Sequence, residues 1–276
     1  MHPYIEKLQN QRAMKNSLLC FGMDPVIERM NIDIYKNLAD EISGYFSRIL
    51  DEIVGRITAV KLNLGFYLQY GTRGLEAMEK LARYSRSLDL PVVLDAKSGD
   101  VGRTSKAYAR FAFEELEADA VTLNPYMGYD SMEPFFSYPD RGFYVLVLTS
   151  NQGADLLQLK KLESGQHLFQ EALSAVIRWS SRVDSVGTVI GATQKQLQQC
   201  LTDLRAVNCS IPILIPGVGA QGGSYTRINR MLENVRYDRG VVRINSSSSI
   251  SYAHEKFVSF SIEEAAYLAV EETLKS

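Results

Sequence analysis

Short apolar, β-branched runs alternate along this chain with longer segments whose apolar residues recur at helical spacing. The runs are Leu18 to Met23, Ile57 to Leu62, Pro91 to Asp95, Ala120 to Asn124, Phe143 to Thr149, Val186 to Ala192, Ile211 to Pro216 and Gly240 to Asn245, eight in all. Amphipathic stretches lie between them at Ile34 to Ile53, Gly74 to Leu88, Thr104 to Leu116, Ser164 to Arg182, Gln194 to Ala206 and Tyr225 to Val235. A last one, Ser261 to Leu274, follows the eighth run. Strands alternating with helices predict βαβ units and a parallel sheet. Eight such units in roughly 250 residues match a (β/α)8 barrel, whose strands, buried on both faces, read as continuous apolar runs. An open doubly wound sheet is the alternative; the count of eight and the lack of a composition break favour closure. No linker, repeat or low-complexity tract divides the chain apart from Ser246 to Ser249. The expected architecture is an α/β TIM barrel forming a single domain over residues 1–276, with 1–16 as an N-terminal extension and 261–276 as a C-terminal helix.

Composition narrows the ligand. The 276 residues are 46% hydrophobic, and 30 Lys+Arg against 32 Asp+Glu leave a formal charge of -2. Nucleic acid and anionic membranes are bound by clustered Lys and Arg, so neither is an expected partner, and an anionic ligand should be small and locally held. Cys20, Cys200 and Cys209 have neither metal-type nor redox-type spacing, which suits a reducing compartment. Met1 to Lys15 lacks the apolar run of a secretory signal, and no stretch approaches the ~18 apolar residues of a membrane span. A cytoplasmic location follows as the expectation. His2, His167 and His254 are too far apart for a helical metal pair, so no metal site is expected.

In a barrel the active site is built at the carboxyl ends of the strands. The polar residues there are Asp24, Lys61, Asn63, Asp95, Lys97, Asn124, Thr149, Ser150, Thr193, Gln221 and Asn245. Charges at the ends of apolar strands cost desolvation energy unless they pair with each other or with a ligand, so a purely structural ion-pair network is the competing reading. The segment Val92 to Asp100 is the most informative. Strand period two puts Asp95 and Lys97 on one side, with Asp100 in the following loop. Asp-x-Lys-x-x-Asp by itself would arise by chance in roughly one chain in twenty; its place at the third strand end, with Lys61 at the second, raises its meaning. Lys61, Asp95, Lys97 and Asp100 could form an array of alternating charge. At ~4 Å and an effective dielectric of ~20, each neighbouring pair is worth about 4 kcal/mol before desolvation. Such an array keeps Lys97 protonated and fixed, able to deliver a proton to a developing carbanion. Asp95 would repel an anionic substrate group unless that group left as neutral CO2. Decarboxylation is the reaction this arrangement serves best.

The run Ile215 to Gly223 contains Gly-x-Gly-x-x-Gly. A dinucleotide site would need an acidic residue ending the next strand, and Gly240 to Asn245 ends in Asn. The loops after strands seven and eight of a barrel commonly hold a phosphate, so a monophosphate is favoured, with a plain glycine turn as the alternative. Trp179 reads as core. His254 has no orienting carboxylate or nucleophile elbow, so a serine hydrolase is disfavoured. Asn124 to Gly128 could line the site or simply join strand to helix.

Taken together these residues resemble the orotidine 5'-phosphate decarboxylase family, in particular its longer bacterial subgroup, from Leu18 to Ala253. The matching blocks are Phe21 to Pro25, Lys61 to Tyr67, Asp95 to Val101, Asn124 to Gly128, Thr149 to Ala154, Gly191 to Thr193 and Pro216 to Gly223. The resemblance implies cofactor-free conversion of orotidine 5'-monophosphate (OMP) to uridine 5'-monophosphate (UMP) and CO2 in de novo pyrimidine biosynthesis. It implies that Lys97 protonates C6, that Asp95 lies beside the departing carboxylate, and that Lys61 binds the ribose and orients Asp95. Asp24 would hold a ribose hydroxyl, Ser150 would hydrogen-bond the pyrimidine, Gln221 would span base and phosphate with Gly222 and Gly223 offering backbone donors, and Asn63 would be a further substrate-binding residue. Asp100 and Thr104 would reach the ribose site of a neighbouring subunit, implying a homodimer with shared sites. One departure stands out. The arginine with which the family grips phosphate aligns with Ser248, and Ser98 also stands where the subgroup has an arginine. A guanidinium gives bidentate charge-assisted bonds that a hydroxyl cannot. Arg243 and Arg103 are the nearest substitutes, though strand alternation could turn Arg243 toward the outer helices. Two further readings follow: a superfamily sibling acting on another phosphorylated substrate such as a keto-sugar phosphate with Mg2+, and a non-catalytic nucleotide-binding paralogue.

Overall fold

The computed structural model describes residues 1–193, 195–219 and 222–276. Among the described residues eight parallel strands close into a barrel in sequence order. They are β1 (Leu19–Gly22), β2 (Ala59–Asn63), β3 (Val92–Ser98), β4 (Ala120–Leu123), β5 (Gly142–Leu148), β6 (Val186–Ile190), β7 (Ile213–Pro216) and β8 (Val242–Ser246). The helices are α1 (Pro3–Lys15), α2 (Leu38–Ile53), α3 (Leu64–Leu68), α4 (Gly71–Ser87), α5 (Gly102–Arg110), α6 (Tyr129–Phe136), α7 (Leu168–Ser180), α8 (Leu197–Ala206), α9 (Tyr225–Asn234), α10 (Ser248–Ser251) and α11 (Ile262–Lys275). The expected TIM barrel is therefore the architecture. β1, β4, β6 and β8 are buried at every position, as strands covered by helices outside and by one another's side chains inside must be.

Local signals fix the helix ends. Asn37 accepts the Ala39 N–H and starts α2, whose Ile42, Phe46, Ile49 and Ile53 form its inner stripe. Ser261 and Glu264 make a reciprocal capping box at the head of α11. Four helices are not visible in the hydrophobic pattern, of which α3 and α10 are pieces of five and four residues and α1 and α6 are longer. In α1 only Tyr4, Leu8 and Gln11 are buried, too few for a legible stripe, although Pro3 opens it and Asn16 closes it in the left-handed region. The other, α6, carries Pro134 inside a short segment of mixed polarity.

The helix α1 lies under the amino ends of the strands. The Tyr4 hydroxyl meets the Tyr144 hydroxyl of β5 at 2.8 Å, and the Leu8 carbonyl accepts from Arg243 Nη2 at 2.5 Å. Arg243 is fully buried and also donates to the carbonyls of Val242 at 2.7 Å and Gly240 at 3.1 Å. It shares its face of β8 with Asn245, so it points into the barrel interior and not toward the outer helices. It closes the floor of the barrel.

β3 departs from a regular strand. It continues beyond Asp95 to Ser98, its pairing with β4 shifts register between Leu94 and Ser98, and Lys97 takes φ +49°. That shift re-aims side chains at the carboxyl end of the barrel.

Candidate active site

Four charges from three consecutive strand ends meet at this end of the barrel. Lys61, on β2 and 3% exposed, sits with Nζ 3.3 Å from Asp95 Oδ2 and 3.7 Å from Oδ1 of Asp24, which follows β1. Lys97 Nζ lies 2.7 Å from Asp95 Oδ1. The order is Asp24, Lys61, Asp95, Lys97, each charge flanked by its opposite. Burial alone would raise the Asp95 pKa, but Lys61 and Lys97 outweigh it and hold the carboxyl at about 2. Desolvation alone would lower the Lys61 pKa, and Asp24 and Asp95 reverse it, leaving the ammonium more firmly protonated than usual. Both shifts favour the ionised state. Lys97 differs from Lys61 in being accessible, with about half its side chain (48%) exposed to the cavity mouth.

The buried Thr122 of β4 ties this array together. Its hydroxyl donates to Asp95 Oδ1 at 2.9 Å and accepts the Lys97 N–H at 2.9 Å. The left-handed backbone at Lys97 costs of order 1–3 kcal/mol for a residue with a Cβ, and the Thr122 bond is one of the contacts that hold it. Sequence reading passed over Thr122. Its signal was a hydroxyl inside an otherwise apolar strand, on the face that period two turns inward.

A cavity of 530 Å³ opens over the array and is lined by Asp24, Lys61, Asn63, Asp95, Lys97, Thr122, Ser150, Asn245 and Ser248. Asn63 also caps α3, accepting the Gly65 N–H. Oδ1 of Asp24 and Oδ1 of Asn245 are buried with no hydrogen-bond donor among the described residues. Two such acceptors in a cavity wall suit ligand hydroxyls. A second cavity of 540 Å³ adjoins it, lined by Gly219, Gly222, Gly223, Ser248 and Ser249, so Ser248 faces both. Gly219, at φ +85°, is required there: a Cβ would come within 2.5 Å of Ser249 Oγ. Ser246 Oγ in turn lies 2.7 Å from Ser249 Oγ and donates to the Val218 carbonyl. Gln221 lies outside the described residues.

Several candidates are placed elsewhere. Within one chain Asp100 is not part of the array; its carboxylate accepts the Val101 N–H at 2.8 Å, and the second aspartate of the alternation is Asp24. β3 ends at Ser98, and Asp100 lies past it in the loop that leads to α5. Thr104 is exposed on α5 and lines neither cavity. Of the substitute cations, Arg243 is spent on floor carbonyls and Arg103 is exposed on α5, away from both cavities. Asn124 caps the turn at Tyr126 and is not in the cavity wall. Trp179 is half-buried, packs against the hydrophobic core beside Tyr129 and lines neither cavity. His254 Nδ1 lies 3.4 Å from the Tyr45 hydroxyl.

Two residues from other elements complete the wall. Arg29, in the turn after β1, lines both cavities, and Tyr252, after α10, lies beneath it with the guanidinium carbon 4.1 Å from the ring centroid. The Tyr252 hydroxyl donates to the Asp24 carbonyl at 2.6 Å and accepts the Val26 N–H at 2.8 Å, fixing the loop that carries Asp24. Among the described residues no group of three or more His, Cys, Asp or Glu is arranged to hold a metal ion, and no described helix is long and apolar enough to cross a membrane.

Comparison with known proteins gives a consistent result. The family model described as "Orotidine 5'-phosphate decarboxylase / HUMPS family" matches residues 17–257. An orotidine 5'-phosphate decarboxylase of Dehalococcoides mccartyi is 35% identical over 258 residues, 90% of this chain and 92% of the relative. One from Thermomicrobium roseum is 42% identical over 226 residues, 80% of this chain and 78% of the relative. Among solved structures, the OMP decarboxylase of Leishmania donovani superposes with a TM-score of 0.77 at 30% identity, covering 98% of this chain and 96% of that one.

Proposed function

The chain belongs to the orotidine 5'-phosphate decarboxylase / HUMPS family, and on that footing we propose that it decarboxylates OMP to UMP and CO2 in pyrimidine biosynthesis, with the Asp24-Lys61-Asp95-Lys97 alternation as its catalytic centre. That alternation is the observation that carries the reading. The C6–carboxylate bond breaks with its electron pair left on C6, CO2 departs neutral, and Lys97 Nζ gives its proton to C6. The amine then recovers a proton from solvent. Asp95 stays ionised beside the scissile group because two ammonium groups hold it so; it destabilises a neighbouring carboxylate more than the neutral CO2 that replaces it. Lys61 fixes Asp95 and, with Asp24, offers charge and hydrogen bonds to ribose hydroxyls. Asn63 and Ser150 line the wall that the nucleoside would contact.

The phosphate end falls at the glycine turn, where Gly222, Gly223 and Ser248 line one cavity, with Gln221 as a further contact expected from the family. Ser248 occupies the place the family gives to an arginine, so hydroxyl and backbone donors replace a guanidinium there. Asp100 and Thr104 serve a neighbouring copy, which makes the working unit a cytoplasmic homodimer. All eight strands border or support the one site, so residues 1–276 act as a single barrel unit.

The test of the activity is loss of OMP ultraviolet absorbance with purified protein. Turnover by the wild type, abolished in Lys97→Ala, is the expected result; unchanged absorbance at high enzyme and substrate refutes the proposal. For shared sites, mixing inactive Lys97→Ala with inactive Asp100→Ala should restore part of the activity, because some mixed dimers hold one intact site. No recovery would refute the shared site.

A further inference from the structure

Between the lysine/aspartate array and the glycine turn, Arg29 is the one charged residue that lines both cavities among the described residues. Its guanidinium is held on two sides. Nε and Nη2 form a fork with the carboxylate of Glu255 at 2.8 and 2.7 Å, and the flat face lies 4.1 Å above the Tyr252 ring. A guanidinium has five N–H donors, of which this fork uses two, and no described residue accepts from Nη1. The side chain is 37% exposed, so those donors remain accessible to a ligand. The other cations around the two cavities have different commitments. Lys61 and Lys97 belong to the array, and Lys256 pairs with Glu272.

We propose that Arg29 supplies the cationic contact to the substrate phosphate, beside Ser248 and the glycine turn, in place of a guanidinium on the strand-eight loop. This rests on the reading of the site as one for OMP. Glu255 orients the fork through Nε and Nη2, which leaves the outer Nη1 donors for a dianionic phosphate, while the stacked ring keeps the guanidinium in place. Tyr252 links the two ends of the site physically, because the same side chain carries Arg29 on its face and holds the Asp24 loop through its hydroxyl. Phosphate binding at Arg29 would thereby steady the loop that presents Asp24 to Lys61.

The experiment compares wild type with Arg29→Met, which keeps the apolar stem over Tyr252 and removes the charge. Competitive inhibition by UMP and by uridine is measured in the OMP absorbance assay, with binding of each followed by calorimetry. Arg29→Met is expected to weaken UMP about ten- to a hundredfold while changing uridine less than about twofold. Adding Ser248→Arg to Arg29→Met should restore UMP affinity. Equal loss for UMP and uridine, or no loss for either, overturns the inference; retained uridine binding also shows that the variant is folded. A wild type that turns over no OMP would instead refute the functional reading itself, and a wild type with full turnover but Arg29-independent UMP affinity refutes only the role of Arg29.

Discussion

Replacing Thr122 by valine removes one oxygen and keeps the side chain's shape. That oxygen makes two bonds, donating to the ionised Asp95 and accepting the backbone N–H of Lys97. A hydrogen bond to a charged group is worth about 1.5–3 kcal/mol, and leaving the part-buried Lys97 N–H without its partner costs at most about 1–3 kcal/mol more. In the proposed mechanism the first sum bears on catalysis, because there Asp95 stays fixed against the scissile group; if it is lost in the transition state alone, the rate falls about ten- to a hundredfold. The second falls on the left-handed turn at Lys97, whose relaxation would carry Nζ away from C6. Because the hydroxyl already donates one bond and accepts another within the array, it has little left for substrate, so the loss should appear in kcat with KM changed less than about threefold. Initial rates of OMP absorbance loss give both constants, and denaturant unfolding gives the stability change. Thr122→Ser, which restores the oxygen, should recover most of kcat. The reasoning is refuted if Thr122→Val keeps kcat within twofold, or if Thr122→Ser loses as much as Thr122→Val.

Arg243→Met should lower stability by about 3 kcal/mol or more, since it strips a shared donor from the carbonyls of Leu8, Val242 and Gly240 under the barrel; denaturant midpoints and protease cleavage near α1 would register it, and an unchanged midpoint would contradict the floor role. Acid should expose the array. A carboxyl held down at about 2 in the folded chain, against about 3.8 otherwise, contributes about 2 kcal/mol that is complete above pH ~4 and lost as pH falls toward 2. The raised Lys61 acts at the opposite end, its contribution being present below its ordinary value and lost only in strong alkali. Unfolding free energies of wild type and Asp95→Asn between pH 2 and 5 should therefore differ in slope, and parallel curves would show that Asp95 is not held as described.

How far each feature could be read in advance depended on where its cause lies in the chain. The eight strands were legible because burial on both faces leaves a continuous apolar run, and that condition is local. Asp95 and Lys97 were legible as a pair because two residues of one strand share a side by period alone. The partner that completes the alternation was not. Asp24 and Asp100 both lie in loops just beyond strand ends, and only closure of β1 against β2 brings Asp24 to Lys61, while the Asp100 carboxylate is taken up by the Val101 N–H of its own loop. Arg243 shows the same limit. Strand parity admits two faces, and only the placement of α1 beneath the barrel decides that its charge meets the Leu8 carbonyl in the interior.

The sequence by itself determined the barrel, the end at which polar groups gather, the reaction class, and the absence of a guanidinium from the strand-eight loop. The tertiary structure decided which charges touch, that Thr122 binds Asp95 to Lys97, and that Arg29 stands between the charge array and the glycine turn. Apolar periodicity is written residue by residue, whereas a contact between Arg29 and Tyr252, more than two hundred positions apart, exists only once the barrel has closed.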